Sequence, residues 1–152
     1  MSNISAELLI HAYAQGIFPM AEKATSEDLY WVDPERRGVI PLDKFHIPKS
    51  LIKKIRRKSF EIRLDTAFAK VIEGCAASIS HKGREETWIN PQIKSLFAQL
   101  FGEQFVHTVE CWQDGQLVGG LYGVSIGSAF CGESMFHTVT DASKVALAYL
   151  VA

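Results

Sequence analysis

Apolar and polar positions along this chain change period several times, and the changes mark out its elements. Leu8, Leu9, Ala12 and Tyr13 share one side of a predicted helix that Ser5 caps and Gly16 closes. "GIFPM" and "YWVDPERRG" follow, dense in Pro, Gly and aromatic residues, and read as structured loop. "GVIPL" (38–42) reads as a short strand that Pro41 confines to a sheet edge. Pro48 then opens a helix to about Lys58, with Ile47, Leu51, Ile52 and Ile55 as its apolar stripe. "FEIRLD" (60–65) alternates like a strand, "TAFAKVIEGCAA" has helical spacing, and residues 78–87 form a polar loop before Trp88. Asn90 and Pro91 cap and start a helix to about Phe101.

The last third is different. "FVHTVECWQ" and "QLVGGLYGVSI" are strand-like and joined through "DG", a hairpin signal; "SAFCGESMF" is a third strand after the turn "IGS". Thr140 or Asp141 caps a final helix, "ASKVALAYLVA", which carries no stop signal. Helices first, then strand, helix, helix, three antiparallel strands and helix make an α+β arrangement. The expected division is a helix-rich region with a basic helix over 1–58 and a sheet-containing domain over 59–152.

Composition narrows the class. At 152 residues, 47% apolar and net charge −1, the chain is globular: one domain, or two small ones sharing a core. No apolar run reaches the ~18 residues of a membrane span, and "MSNISAELLIHAYAQG" lacks the features of a signal peptide. Cys75, Cys111 and Cys131 are an odd count without close spacing, which suits reduced thiols in a cytoplasm.

Five features carry candidate chemistry. Lys49, Lys53, Arg56 and Arg57 fall at i, i+4, i+7 and i+8 on one helical face, and no acid interrupts Lys44 to Ser59. Such a face is either a solvated surface or a seat for a polyanion. "QLVGGLYG" partly matches a coenzyme A pyrophosphate loop, but Leu121 fills its last small position and no helix follows. Gly119, Gly120 and Gly123 read instead as bulges or close approaches in a strand. Cys131 and Ser134 lack a fixed base, although His107 and His137 are available in the chain, and no zinc spacing exists. Glu133, between Phe130, Gly132, Met135 and Phe136, must be paired or functional, because a lone buried carboxylate is expensive. Backbone amides or Lys144 would make it structural; a pocket floor that receives an ammonium group would make it functional. Trp88 is a packing anchor or a platform for a base.

Taken together, "LLIHAYAQGIFP", "YWVDPERRGVIP", "FHIPKSL", "AFAKVIEGCA", "TWI", "LVGGLYGV", "FCGESMF" and "ASKVAL" resemble, in order, the leucyl/phenylalanyl-tRNA–protein transferase family. The resemblance implies transfer of Leu or Phe, with Met as a further donor, from aminoacyl-tRNA to acceptor proteins beginning with Arg or Lys. That addition marks the acceptor for degradation in the N-degron pathway. It also implies a GNAT-like acyltransferase domain working without coenzyme A or any other cofactor. The implied partners are aminoacyl-tRNA and acceptor protein, with no membrane or DNA, for a cytoplasmic monomer. By position, Trp88 matches the residue stacked on the terminal adenosine, with Met20 beside it. Leu121, Phe130, Cys131, Gly132, Glu133, Leu147 and Leu150 fall around the aminoacyl side-chain pocket. Lys49, Lys53, Arg56 and Arg57 match the patch that meets the tRNA stem.

Two departures qualify the resemblance. Many members carry Trp after "GIFP", where this chain has Met20. The family also continues beyond "ASK" with a D-x-Q strand, whose Asp and Gln are assigned to acyl transfer; the resemblance places both beyond Ala152. The expectation is therefore an incomplete acyltransferase domain with an unpaired sheet edge. A tRNA-end-binding module without catalysis is the alternative function. A small-molecule acetyltransferase, which would need coenzyme A, is a third.

Overall fold

The computed structural model describes residues 4–78 and 87–152, so the polar loop expected over 78–87 lies, apart from its two ends, outside them. In chain order the elements are α1 (Ala6–Ala14), β1 (Phe18–Ala21), β2 (Leu29–Val32), a short 3₁₀ turn (Leu42–Lys44), α2 (Lys49–Arg56), β3 (Glu61–Leu64), α3 (Phe68–Ser78), α4 (Pro91–Gly102), β4 (Val106–Gln113), β5 (Gln116–Ile126), β6 (Ala129–His137) and α5 (Ala142–Val151). Strands β3-β4-β5-β6 form one antiparallel sheet in that order, and β1 pairs with β2 in a separate ribbon. The class is α+β.

Local chemistry explains most boundaries. The Ser5 hydroxyl accepts from Leu8 N, and Gly16 at φ +80° ends α1 with Ile17 N bonded to Ala12 O and Gly16 N to Tyr13 O. The Asn90 side chain accepts from Ile93 N at 2.8 Å, with Pro91 in the first turn of α4. Asp114 and Gly115, both at positive φ, make the tight turn between β4 and β5.

Three expectations are corrected. "GVIPL" is not a strand: no neighbouring strand pairs with it among the described residues, Val39, Ile40 and Leu42 are exposed, and Pro41 precedes the 3₁₀ turn. "GIFPM" and "YWVDPERRG" hold a hairpin rather than loop alone, with Pro19 tolerated opposite Trp31 because β1 is an edge. The buried stripe of α1 is Ala6, Leu9 and Tyr13, which leaves Leu8 47% exposed.

Apolar residues form two clusters, and alternation along β5 assigns its side chains to opposite faces. Tyr122 and Val124 pack with α1, α3 and α4 residues such as Leu9, Val71 and Phe97. Leu121 packs with Val109, Cys111, Leu51 of α2 and Val145 of α5. Two glycines permit close approach: a Cβ on Gly119 would stand 2.5 Å from Ala142 Cβ, and one on Gly123 the same distance from the Phe130 ring. The reading of these glycines as close approaches holds.

Candidate functional site

A cleft of about 380 Å³ opens where the β1–β2 ribbon, the segment before α4 and strand β6 converge. Met20, Trp88, Gly132 and Glu133 line it, so four residues singled out in the sequence meet in space. Met20 sits on β1 opposite Tyr30. Trp88 is partly buried against the core, one residue ahead of fully buried Ile89. Asn90 fixes both walls at once: besides capping α4, its Nδ2 donates to Ser26 O at 2.9 Å in the β1–β2 connection.

Glu133 owes its direction to a bulge. Tyr122 pairs with Ser134 and Gly123 with Gly132, so Glu133 is the extra residue in β6. Its carboxylate meets Tyr13 of α1, whose hydroxyl donates to Oε1 at 2.6 Å. Among the described residues neither a set of backbone amides nor Lys144 is its partner; Lys144 Nζ stands 3.5 Å from Asp141 Oδ1. Burial pushes the Glu133 carboxyl up to about 7, and the Tyr13 hydrogen bond and the charge of Arg37 pull against that rise. Burial and the neighbouring carboxylate also drive the Tyr13 phenol far above its ordinary value, so it remains a donor.

Two cleft residues and one support were not singled out in advance. Arg36 and Arg37 line the cleft; the Arg37 guanidinium donates to Gly16 O at 2.9 Å and lies 5.0 Å from the Phe18 ring centre. Arg37 sits in "PERRG", where a doubled arginine after a proline was the available signal. Tyr13 had no signal beyond helical spacing, because its partner is 120 residues away.

The remaining candidates are distributed around β6. Phe130, Leu147 and Leu150 pack beside buried Leu121 on the α5 face, whereas Cys131 packs on the opposite face toward α1 and α3. Burial raises the Cys131 thiol, and the Cys75 and Cys111 thiols are pushed up to about 12. His107 Nδ1 is 2.8 Å from Asp65 Oδ2 and His137 Nδ1 is 3.3 Å from Ser143 Oγ, and among the described residues no hydrogen bond joins either ring to Cys131 or Ser134. No activated nucleophile is assembled among the described residues.

On α2, Lys49, Lys53, Arg56 and Arg57 are all exposed, while Leu51 is buried against α5. No helix among the described residues is long and apolar enough to cross a membrane.

Comparison with known proteins shows which family the chain resembles. The family model described as leucyl/phenylalanyl-tRNA protein transferase matches residues 39–152, and the model for the N-terminal domain of that transferase matches residues 2–35. A curated leucyl/phenylalanyl-tRNA–protein transferase from Paramagnetospirillum magneticum (strain ATCC 700264 / AMB-1) is 55% identical over 152 residues. That match covers 100% of this chain and 72% of the relative.

Proposed function

The chain belongs to the leucyl/phenylalanyl-tRNA–protein transferase family, and from that premise we propose that it moves Leu or Phe from aminoacyl-tRNA to acceptor proteins beginning with Arg or Lys. The observation that carries the reading is the convergence of Trp88, Met20, Gly132 and Glu133 on one cleft beside Arg36 and Arg37. An indole and a thioether flank a space fit for a terminal base, Trp88 by stacking and Met20 by a softer contact. Residues 1–58 then hold the stem and share the terminal adenosine with Trp88, and residues 59–152 receive the aminoacyl end.

The two faces of β6 fit such a donor. Gly132 is exposed, and a Cβ built there would meet nothing within 4 Å. β6 is an edge of the sheet among the described residues. In this reading the aminoacyl group passes over Gly132, with Phe130, Leu121, Leu147 and Leu150 as its apolar walls and Cys131 filling space beneath. Those apolar walls favour Leu and Phe in a graded way, since one methylene is worth ~1–3 kcal/mol.

The chemistry needs no protein nucleophile. The acceptor's amine attacks the ester carbonyl, a peptide bond forms, and the ester C–O bond breaks. The ribose oxygen leaves as a hydroxyl with the proton that the amine gives up. The protein's contribution is placement and stabilisation of the tetrahedral oxyanion. In the cell, the added residue marks the acceptor for N-degron degradation.

The test is transfer of labelled leucine from leucyl-tRNA to a peptide beginning with Arg, against the same peptide beginning with Glu. Transfer to the Arg peptide alone is expected; equal transfer to both overturns the acceptor assignment. Filter binding of tRNA tests the donor half. Trp88→Ala should weaken donor binding by ~1–3 kcal/mol, and undiminished affinity removes Trp88 from the site. Lys53→Glu with Arg57→Glu should weaken binding and flatten its salt dependence.

A further inference from the structure

Glu133 is held by one neighbour and watched by several. Tyr13 reaches it from α1, Tyr122 from β5 and Cys131 from β6 itself. Arg37 reaches it from the segment after β2, with Arg36 lining the same cleft and the Cys75 thiol behind Tyr122. Of these, Tyr13 makes the direct hydrogen bond, at 2.6 Å to Oε1. Its placement is stiff. Tyr13 is 5% exposed on the inner stripe of α1, its ring stands edge-on to Phe97 with centroids 6.4 Å apart, and the helix stops three residues later at Gly16. The carbonyl of Gly16 in turn anchors Arg37. One short segment thus fixes both groups that oppose protonation of Glu133.

A phenol has a single O–H, and a carboxylate has two oxygens. With Oε1 occupied by Tyr13 and no hydrogen bond to Oε2 among the described residues, Oε2 is the oxygen left for a ligand in the cleft. Charged and uncharged tRNA differ there by one feature of opposite sign: the charged form carries an α-ammonium on the aminoacyl group. A carboxylate with apolar neighbours binds an ammonium strongly, while the neutral acid does not.

We infer that Tyr13 is a positioning residue for the donor's ammonium group: by occupying Glu133 Oε1 it leaves Oε2 to that group, and so controls how well the protein tells charged from uncharged tRNA. This rests on the functional reading above. The sign of the pH effect follows from the bond: Tyr13 donates to the charged form, so its removal favours the neutral acid and moves the carboxyl's midpoint upward from about 7. Discrimination is therefore lost at low pH, and lost earlier without Tyr13. The ordinary α-amino range of about 7.7–8.0 sets the upper end of the window.

The experiment is filter binding of tRNA bearing leucine through a hydrolysis-resistant amide, against the same tRNA uncharged, from pH 6 to 8. Wild type should prefer the charged form with a midpoint near 7. Tyr13→Phe keeps the ring against Phe97; it should cut that preference about tenfold at pH 7, raise the midpoint, and hold the affinity for uncharged tRNA. Glu133→Gln should lose the pH-dependent part of the preference and keep only the part that the apolar walls supply. Preference and midpoint unchanged in Tyr13→Phe overturn the inference and leave the transferase reading standing. Failure of wild type to bind either form overturns both.

Discussion

Two carboxylates lie in the same four-stranded sheet, Glu110 on β4 and Glu133 on β6, and they are treated in opposite ways. Glu110 is fully buried and accepts five hydrogen bonds: from Thr66 N and Ala67 N at 3.0 Å, Thr108 Oγ1 at 2.6 Å, Trp112 Nε1 at 3.1 Å, and Thr66 Oγ1. Burial pushes its carboxyl up, but the bonds from Thr108, Thr66, Ala67 and Trp112 outweigh burial and hold it below the ordinary range. Glu133 is only partly buried, has one donor among the described residues, and sits near 7. The number of donors, rather than burial, separates an acid that stitches β4 to the start of α3 from one left open to a ligand.

The largest effect should come from the closed acid. Glu110→Ala leaves five donors without their acceptor and opens a cavity, and should cost more than about 3 kcal/mol in urea unfolding. A cost under about 1 kcal/mol would break the comparison, because Glu110 would then be no fastener. The open acid should behave with the other sign. Its folded carboxyl is raised from 4.5 to about 7, so it contributes stability below about 4.5 that is lost as pH rises through about 7. Glu133→Gln escapes that loss. The variant should be more stable than wild type by about 2 kcal/mol at pH 8 and no more stable at pH 4, while binding charged tRNA less selectively. Equal destabilisation by both substitutions would erase the distinction.

What could be read from the chain follows the same division between local and distant causes. Asn90-Pro91, Asp114-Gly115, Ser5 and Gly16 act within a few residues, so the caps and turns they make were legible. The β1–β2 ribbon was hidden by Pro19, which an edge strand accepts but a local rule rejects. "GVIPL" misled because its apolar residues are exposed, and periodicity assumes burial. In the site, the chemical types were legible and their partners were not. Glu133 was recognisable as an acid needing a partner; that the partner is Tyr13, from the first helix, depends on a bulge no composition reveals. Phe130 and Cys131 are adjacent in sequence and pack on opposite faces of β6, as strand alternation requires.

The smallest predicted effects concern two adjacent lysines on α2, which repeat the contrast of fastened and open charge at the surface. Lys54 turns inward: its Nζ donates to Thr140 O at 3.0 Å and pairs with Asp141 Oδ2 at 3.2 Å, tying α2 to the start of α5. The hydrogen bond from Lys54 is the leading cause that holds the Asp141 carboxyl below its ordinary value. Both side chains keep about a third of their exposure, so solvent screens the pair, and Lys54→Ala should cost only about 0.5–1 kcal/mol of stability. Lys53 is exposed and no ion pair holds it among the described residues, so Lys53→Ala should leave stability unchanged and lower the salt slope of tRNA binding by about one unit. The unfolding curve and the salt titration should therefore respond to opposite members of the pair. If Lys54→Ala changed the salt slope and Lys53→Ala did not, the polyanion would sit on the α5 side of the helix, and the exposed basic face would be a solvated surface after all.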